Sequence, residues 1–307
     1  MLDYRSWHAF ELLLNTPMIA LDEAAGTGAR RTRKLGAMAD SRDDGPQVWK
    51  VDTTVPASAR IWNYWLGGKD YFTVDRQAGD EFLEVYPEMR NVARAVRGFL
   101  GRAVTYLAGE AGIRQFLDIG TGLPTADNTH QVAQRVAPKS KIVYVDNDPM
   151  VLAHARALLT SSPEGTCRYL DADVRDPDKF LEGAAETLDF GQPVAVVMLG
   201  VMAHVNDDAE ALSIVHRVTS ALAPGSFLTL SDGANTSKAR QRAHEKYAQT
   251  GAEPYHLRSP EQITKFFDGL TLLDPGVVPV SQWRPAPTPD GQPPRHVDTY
   301  GGMAKKP

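Results

Sequence analysis

Phe116-Leu117-Asp118-Ile119-Gly120-Thr121-Gly122, followed by Val143-Tyr144-Val145-Asp146-Asn147-Asp148-Pro149, decides how this chain is read. An apolar run, a glycine turn and a second apolar run ending in carboxylates describe a strand, a turn, a helix and a parallel strand, with a ligand at the turn. Gly120 and Gly122 carry no Cβ, so each tolerates positive φ and lets a ligand approach the backbone closely. Asp146, at the tip of the second strand, is placed to accept both hydroxyls of a ribose. It lies 146 − 120 = 26 positions beyond Gly120, against the roughly 20 of the dinucleotide fingerprint. Leu123-Pro124 stands where that fingerprint has its third glycine, and proline offers no N–H to a pyrophosphate. The pattern therefore favours an adenosine cofactor without phosphates, and S-adenosylmethionine fits. Glycine turns alone are equally compatible with a purely structural bend, so the rest of the chain must decide.

Composition removes several classes. The 307 residues, 42% of them hydrophobic, suffice for one large core, and a net charge of −5 gives no basic field to capture a phosphate backbone. No nucleic-acid partner is expected. The single cysteine, Cys167, excludes an internal disulfide and a cysteine-clustered zinc site, and reads as a small buried strand residue of a protein in a reducing cytoplasm. No apolar run reaches the roughly 18 residues of a membrane span. The nearest, Phe10 to Leu21, is interrupted by Asn15 and Pro17 and lacks the flanks of a signal peptide. A cytoplasmic protein with no membrane partner is the expectation.

Residues 1–55 contain a short apolar stretch, the basic run Arg30-Arg31-Thr32-Arg33-Lys34 and a turn-rich segment. They read as a disordered extension, with Met38 a candidate true start. Residues 56–113 read as a helical cap, because Phe82, Val85, Tyr86, Met89, Val92, Val96, Phe99, Leu100, Val104 and Leu107 recur at helical intervals. Pro87 opens the longer helix, Gly112 closes it, and the pair is expected beside or over the carboxyl edge of the sheet. From residue 114 to 307, strands near 116–119, 142–145, 168–170, 194–199 and 227–230 alternate with helices near 128–136, 149–159 and 209–222. That order gives a parallel sheet covered on both faces. Segments near 270–280 and 297–304 have no helix between them and form an antiparallel pair at the edge, joined by a proline-rich loop.

Phe116 to Asn128, Tyr169-Leu170-Asp171-Ala172-Asp173 and Leu222-Ala223-Pro224-Gly225-Ser226, in this order and spacing, resemble class I S-adenosylmethionine-dependent methyltransferases. More narrowly, Ala59-Arg60-Ile61-Trp62-Asn63-Tyr64-Trp65-Leu66-Gly67-Gly68-Lys69-Asp70 is similar to the opening signature of one bacterial family of such enzymes. Gly120 to Thr125, Trp283-Arg284-Pro285 and Tyr300-Gly301-Gly302 belong to the same pattern. One departure is Val96-Arg97, where that family usually carries Asn-Arg. The resemblance implies a Rossmann-like α/β fold with a seven-stranded, mostly parallel sheet, an antiparallel edge hairpin and an amino-terminal helical cap. It fixes the cofactor, not the acceptor.

The same resemblance implies where S-adenosylmethionine is held. Asp118, Gly120, Thr121 and Gly122 would meet it at the first strand, Asp146 and Asn147 at the second, Asp173 and Val174 after the third, and Leu199 and Gly200 at the fourth. Asp118 has an indirect role or simply bonds its turn, and Asp173 either accepts the adenine amino group or caps the turn at Asp176-Pro177. Asp148, before Pro149, reads as a helix cap. Tyr64 and Gly67 belong to an aromatic helix and glycine loop that suit a lid, although such rings are more often core. Positioning alone can drive methyl transfer, so His204 is only a candidate base, with a satisfied loop histidine as its alternative. Tyr71, Tyr255, His256 and Trp283 are candidates for the pocket or the core. Without a catalytic cysteine, a paired acidic metal cluster or an Asn-Pro-Pro-Tyr motif, a small-molecule acceptor leads. A non-catalytic sensor of the same cofactor is the competing function, and a nicotinamide oxidoreductase the weaker one.

Overall fold

In the computed structural model, the described residues are 51–158, 161–287 and 294–307. The expected extension lies outside them except for its last five residues, and so does Met38. Helices α1 (Ser58–Trp65), α2 (Thr73–Val85) and α3 (Met89–Gly109) come first. Then strand and helix alternate: β1 (Gln115–Ile119), α4 (Thr129–Val136), β2 (Lys141–Asp146), α5 (Pro149–Leu158), β3 (Thr166–Asp171), α6 (Pro177–Ala185), β4 (Ala195–Leu199), α7 (Asp208–Ser220) and β5 (Phe227–Gly233). The chain ends with α8 (Lys238–Tyr247), α9 (Pro260–Lys265), β6 (Thr271–Leu272), β7 (Val278–Pro279) and β8 (Thr299–Lys305).

The strands form one sheet in the order β3-β2-β1-β4-β5-β8-β6, with β7 also on β8. The first five are parallel, Leu117 facing Val143 and Val196 across its neighbours, and β8 runs antiparallel to β5. The winding reverses between β1 and β4, which opens a crevice at the carboxyl ends of both. The expected edge hairpin is present, but its outer member is two short segments on one partner. The interruption falls at Asp274-Pro275-Gly276, where proline cannot donate to a ladder and Gly276 has φ +84°.

Alternation along the strands sorts the core into two layers. Phe116, Ile142, Tyr144, Ala195 and Val197 face one way and pack with Val92, Phe99, Val104 and Leu107 of α3. Leu117, Val143, Val145, Val196 and Met198 face the other, against Phe180 of α6 and Ile214 and Val218 of α7. The cap helices therefore do more than sit at the carboxyl edge, because α3 covers a face of the sheet and shares its core. Its predicted limits hold, with Gly112 at φ +70° just past the last turn. Helices α6, α8 and α9 go beyond the sequence reading, although Asp176-Pro177 at α6 and Ser259-Pro260 at α9 are the same cap-then-proline pattern as Asp148-Pro149.

The amino-terminal segment is tied to α2 by a buried ion pair. Arg60 Nε lies 2.8 Å from Asp75 Oδ2, with the two side chains 3% and 0% exposed. The other nitrogens of Arg60 donate to the Asp52 and Val55 carbonyls at 2.9 and 2.6 Å, and Asp75 accepts from the Ala57 and Phe72 N–H groups. Removing one partner leaves a desolvated charge. Asp75→Ala should therefore cost about 3–5 kcal/mol in urea unfolding. Asp178→Ala, which breaks the exposed pair with Arg217, should cost no more than ~1 kcal/mol.

Candidate active site

A cleft of about 460 Å³ opens at the carboxyl ends of β1, β2 and β4, roofed by α1 and the segment before it. Its floor is the turn after β1. Gly120 and Gly122 have φ of +70° and +66°. A Cβ on Gly120 would stand 2.5 Å from the Val201 side chain, whereas one on Gly122 would meet nothing within 4 Å. Gly120 is thus demanded by packing and Gly122 by the bend alone.

Asp146 holds that turn from the neighbouring strand. Its Oδ2 accepts the Gly122 N–H at 2.9 Å and its Oδ1 the Asp148 N–H at 3.0 Å. Burial pushes its pKa up to about 6, against the pull of those N–H groups. Each carboxylate oxygen keeps a lone pair, and the side chain lines the cleft. Asp118 is buried deeper, at 6% exposure, and accepts the Thr129 hydroxyl at 2.5 Å. Its pKa also rises to about 6 through burial, opposed by Thr129 and by Arg97. Arg97 reaches over from α3 and donates to the carbonyls of Ala126 and Asp127 at 3.0 and 2.9 Å, ordering the loop that leads into α4.

Of the sequence candidates, Asp118, Gly120, Thr121, Gly122, Asp146, Asn147, Leu199, Gly200 and His204 share the lining of this one cleft. Asp173, Val174, Tyr64 and Gly67 are not among its lining residues. Asp173 is one hydrogen bond away, accepting from Asn147 Nδ2 at 3.2 Å and from the Arg175 N–H at 2.8 Å. Val174 is 7% exposed and packs in the second core layer. Helical geometry separates the aromatic residues of α1. Trp62 and Leu66, four positions apart, face the cleft together with Asn63. Trp65 turns into the core and donates to the Gly79 carbonyl at 3.2 Å. Tyr64 turns away, donating to Asp80 and packing edge-on against Tyr71 at 5.0 Å. Trp283 is wholly buried against Phe99, and His256 lies by Asp208.

The lid reading covers Trp62 and Asn63, which do line the cleft, whereas Arg97 and Glu253 were missed as cleft residues. Only the Val96-Arg97 departure pointed to one of these, since both of its residues line the cleft. Residues 44–307 match a family profile described as S-adenosyl methyltransferase. The chain belongs to this family. None of the curated proteins compared with it matches. It is similar to a DUF574-family protein from Streptomyces avermitilis (43% identity, 84% of this chain and 100% of that one, TM-score 0.80). It is also similar to a candidate methyltransferase from Thermobifida fusca (38% identity, 83% and 96%, TM-score 0.75). The protein is thus an S-adenosylmethionine-dependent methyltransferase on the Rossmann-like sheet described above.

The cleft suits that cofactor. Its volume falls within the roughly 300–1,000 Å³ of small-ligand sites. At its floor, a desolvated carboxylate with spare acceptor capacity stands beside Gly122, where no Cβ fills the space.

Hydroxyl donors stabilise the ionised form of Asp146, so binding and proton loss are linked. A raised carboxylate pKa leaves Asp146 protonated below about pH 6. Affinity for S-adenosylhomocysteine should accordingly be flat above that pH and fall by up to about tenfold per unit below it. Asp146→Ala should weaken binding at pH 7.5 by about 100-fold, the equivalent of two charged hydrogen bonds at the low end of their range. Both are read by calorimetry, and an unchanged Kd would remove Asp146 from the cofactor site.

Proposed function

We propose that this enzyme transfers the methyl group of S-adenosylmethionine to a small molecule held in the same cleft, with Asp146 clasping the cofactor's ribose. The observation that carries the reading is the pairing of the Asp146 carboxylate with the Gly122 N–H at 2.9 Å, beside the open space that the missing Cβ of Gly122 leaves. Asn147, with Asp173 behind it, would meet the adenine side. Arg97, the cation next to Asp118, would face the cofactor's carboxylate. When bound, the sulfonium supplies a methyl group already activated for in-line displacement.

The protein's remaining work is to position the acceptor and exclude water, and an effective molarity worth about 7–11 kcal/mol can come from positioning alone. Trp62, Asn63 and Leu66 roof the cleft and would do both. The enclosure favours a compact acceptor, as does the net charge of −5, which gives no general attraction for nucleic acid.

His204 is placed to accept a proton. It lines the cleft, and its Nδ1 lies 3.3 Å from the Pro254 carbonyl. A proton on Nδ1 directed at that oxygen leaves Nε2 with a free lone pair. Burial lowers the pKa of the ring, with Glu253 pulling the other way, so the imidazole is neutral and able to act as a base at pH 7.

Incubation with methyl-labelled S-adenosylmethionine and separate dialysable-metabolite, RNA and protein fractions of a cell extract should label only the metabolite fraction. Label confined to RNA or protein would overturn the small-molecule reading, and absence of label with intact cofactor binding would leave a sensor. On the labelled acceptor, His204→Gln should lower kcat at least 10²-fold while S-adenosylhomocysteine affinity is kept. Equal turnover would make positioning sufficient.

A further inference from the structure

The turn that carries His204 is bonded from outside at every main-chain carbonyl from Met202 to Val205. Arg258 donates to the carbonyls of Met202 and Val205 at 2.8 and 2.6 Å, the His256 N–H to that of Ala203 at 2.7 Å, and Arg175 Nη2 to that of His204 itself. His256 and Arg258 belong to the segment between α8 and α9. Arg175 comes from the loop between β3 and α6, beside Asp173.

The guanidinium of Arg175 faces two ways. Its Nη1 lies 3.3 Å from both carboxylate oxygens of Asp173, and its main-chain N–H donates to Asp173 Oδ1 at 2.8 Å. Asp173 accepts in turn from Asn147 in the cleft. On the other side Nη2, besides holding the His204 carbonyl, lies 3.4 Å from Glu253 Oε1. Glu253 lines the cleft, and its Oε2 is 3.7 Å from His204 Nδ1. Asn147, Asp173, Arg175, Glu253 and His204 thus form one continuous chain from the tip of β2 to the tip of β4.

Ion pairs whose members are 37–49% exposed contribute little stability. What they contribute is geometry, because the planar fork of arginine fixes the relative placement of the groups it joins, which a lysine ammonium on a flexible stem does not.

We propose that Arg175 is a positioning residue for methyl transfer: its fork ties the turn bearing His204 to Asp173 and sets Glu253 beside the imidazole, holding the base at a fixed spacing from the adenine side of the cleft. The inference rests on the roles proposed above for His204 and Asp173.

The charges around the ring give this arrangement a signature. His204 faces Glu253 and Tyr255 from the segment between α8 and α9, Arg175 and Asp173 from the loop after β3, and His244 of α8, which burial and Arg240 keep neutral at pH 7. Burial lowers the pKa of the His204 ring, Glu253 and the Pro254 carbonyl raise it, and Arg175 lowers it.

The full chain, labelled with ¹⁵N-histidine and saturated with S-adenosylhomocysteine, is titrated by NMR, with His204 assigned by its loss in His204→Gln. In the unmodified chain the neutral ring should be a single Nδ1–H tautomer, bonded to Pro254. Arg175→Gln should raise the ring's pKa by about 0.5 or more, since a like charge is lost, and should leave a mixture of tautomers. Arg175→Lys, which keeps the charge and loses the fork, should leave the pKa in place and still mix the tautomers. Glu253→Gln should shift the pKa downward. Each variant should melt within about 4 °C of the unmodified chain. On the labelled metabolite fraction, Arg175→Lys should turn over about tenfold more slowly, as a loosened attack geometry requires. An unchanged tautomer and pKa in Arg175→Gln, or full turnover by Arg175→Lys, would overturn the proposal. The two readings beneath it fail separately, and the role of Arg175 falls with either: the cofactor assignment if S-adenosylhomocysteine does not bind the unmodified chain, the base if His204→Gln turns over at the full rate.

Discussion

The turn at the tip of β1 exists because a carboxylate on β2 holds it. Two residues at positive φ, Gly120 and Gly122, flank Thr121; the first donates to the Val145 carbonyl at 2.8 Å and the second to Asp146 at 2.9 Å. The carboxylate is in turn positioned by the parallel register that sets Ile119 against Val145. Sheet pairing, turn and ligand floor are therefore one unit. The arrangement has an energetic cost. Asp118 and Asp146 both titrate near pH 6 in the folded chain, above the ~4 of a solvated carboxylate. The folded state thus holds more protons than the unfolded one between those values, and stability declines as pH rises across that window. Unliganded stability is given up to keep two desolvated carboxylates at the cleft.

A similar economy governs the roof. Helix α1 has no side-chain cap at its amino end, and its place is fixed by the Arg60–Asp75 pair at one end and by Asn63 at the other. Asn63 Oδ1 accepts the Asp70 N–H at 3.0 Å, and a Cβ on Gly68 would stand 2.2 Å from that same oxygen. Because Asn63 is already committed, it cannot swing aside, and Gly68 has to be glycine. The Ala59–Asp70 stretch is thus built so that Arg60 and Asn63 anchor while Trp62 and Leu66 cover the cleft. Rigid anchoring at both ends of a short helix is what keeps Trp62 and Leu66 over the cleft.

How much of this was legible in the sequence depends on how local each cause is. The strands of the parallel half, the helix near 128–136 and the cap at Asp148 follow from neighbouring residues, and the structure matches them to within a few residues. The tips of β1, β2 and β4 share a cleft because topology forces them together, so Gly120, Asp146 and Gly200 could be placed from spacing alone. Tyr64 could not, since the face a residue takes on α1 depends on which neighbour α1 packs against, and four aromatic or amide side chains in a row leave that open. Val174 reads as a ligand-side backbone donor, and its side chain packs in the core. Arg97 was hidden for a different reason: its partners, the Ala126 and Asp127 carbonyls, are main-chain atoms some thirty positions away, which no side-chain pattern reports.

The acceptor end shows the same limit most sharply. Asp232, at the end of β5, is wholly buried and pairs with Arg258 at 3.1 Å, while Arg258 also donates to the carbonyls of Met202 and Val205. These bonds pin the short Met202–His204 turn from beneath, and with it His204 at the cleft. Arg240, on α8, stands beside the same carboxylate. Buried ion pairs of this kind are weak sources of stability but strong constraints on geometry when fully bonded. The charged layer under β5 therefore works as a rigid mount that fixes the short turn carrying His204 to the end of one strand.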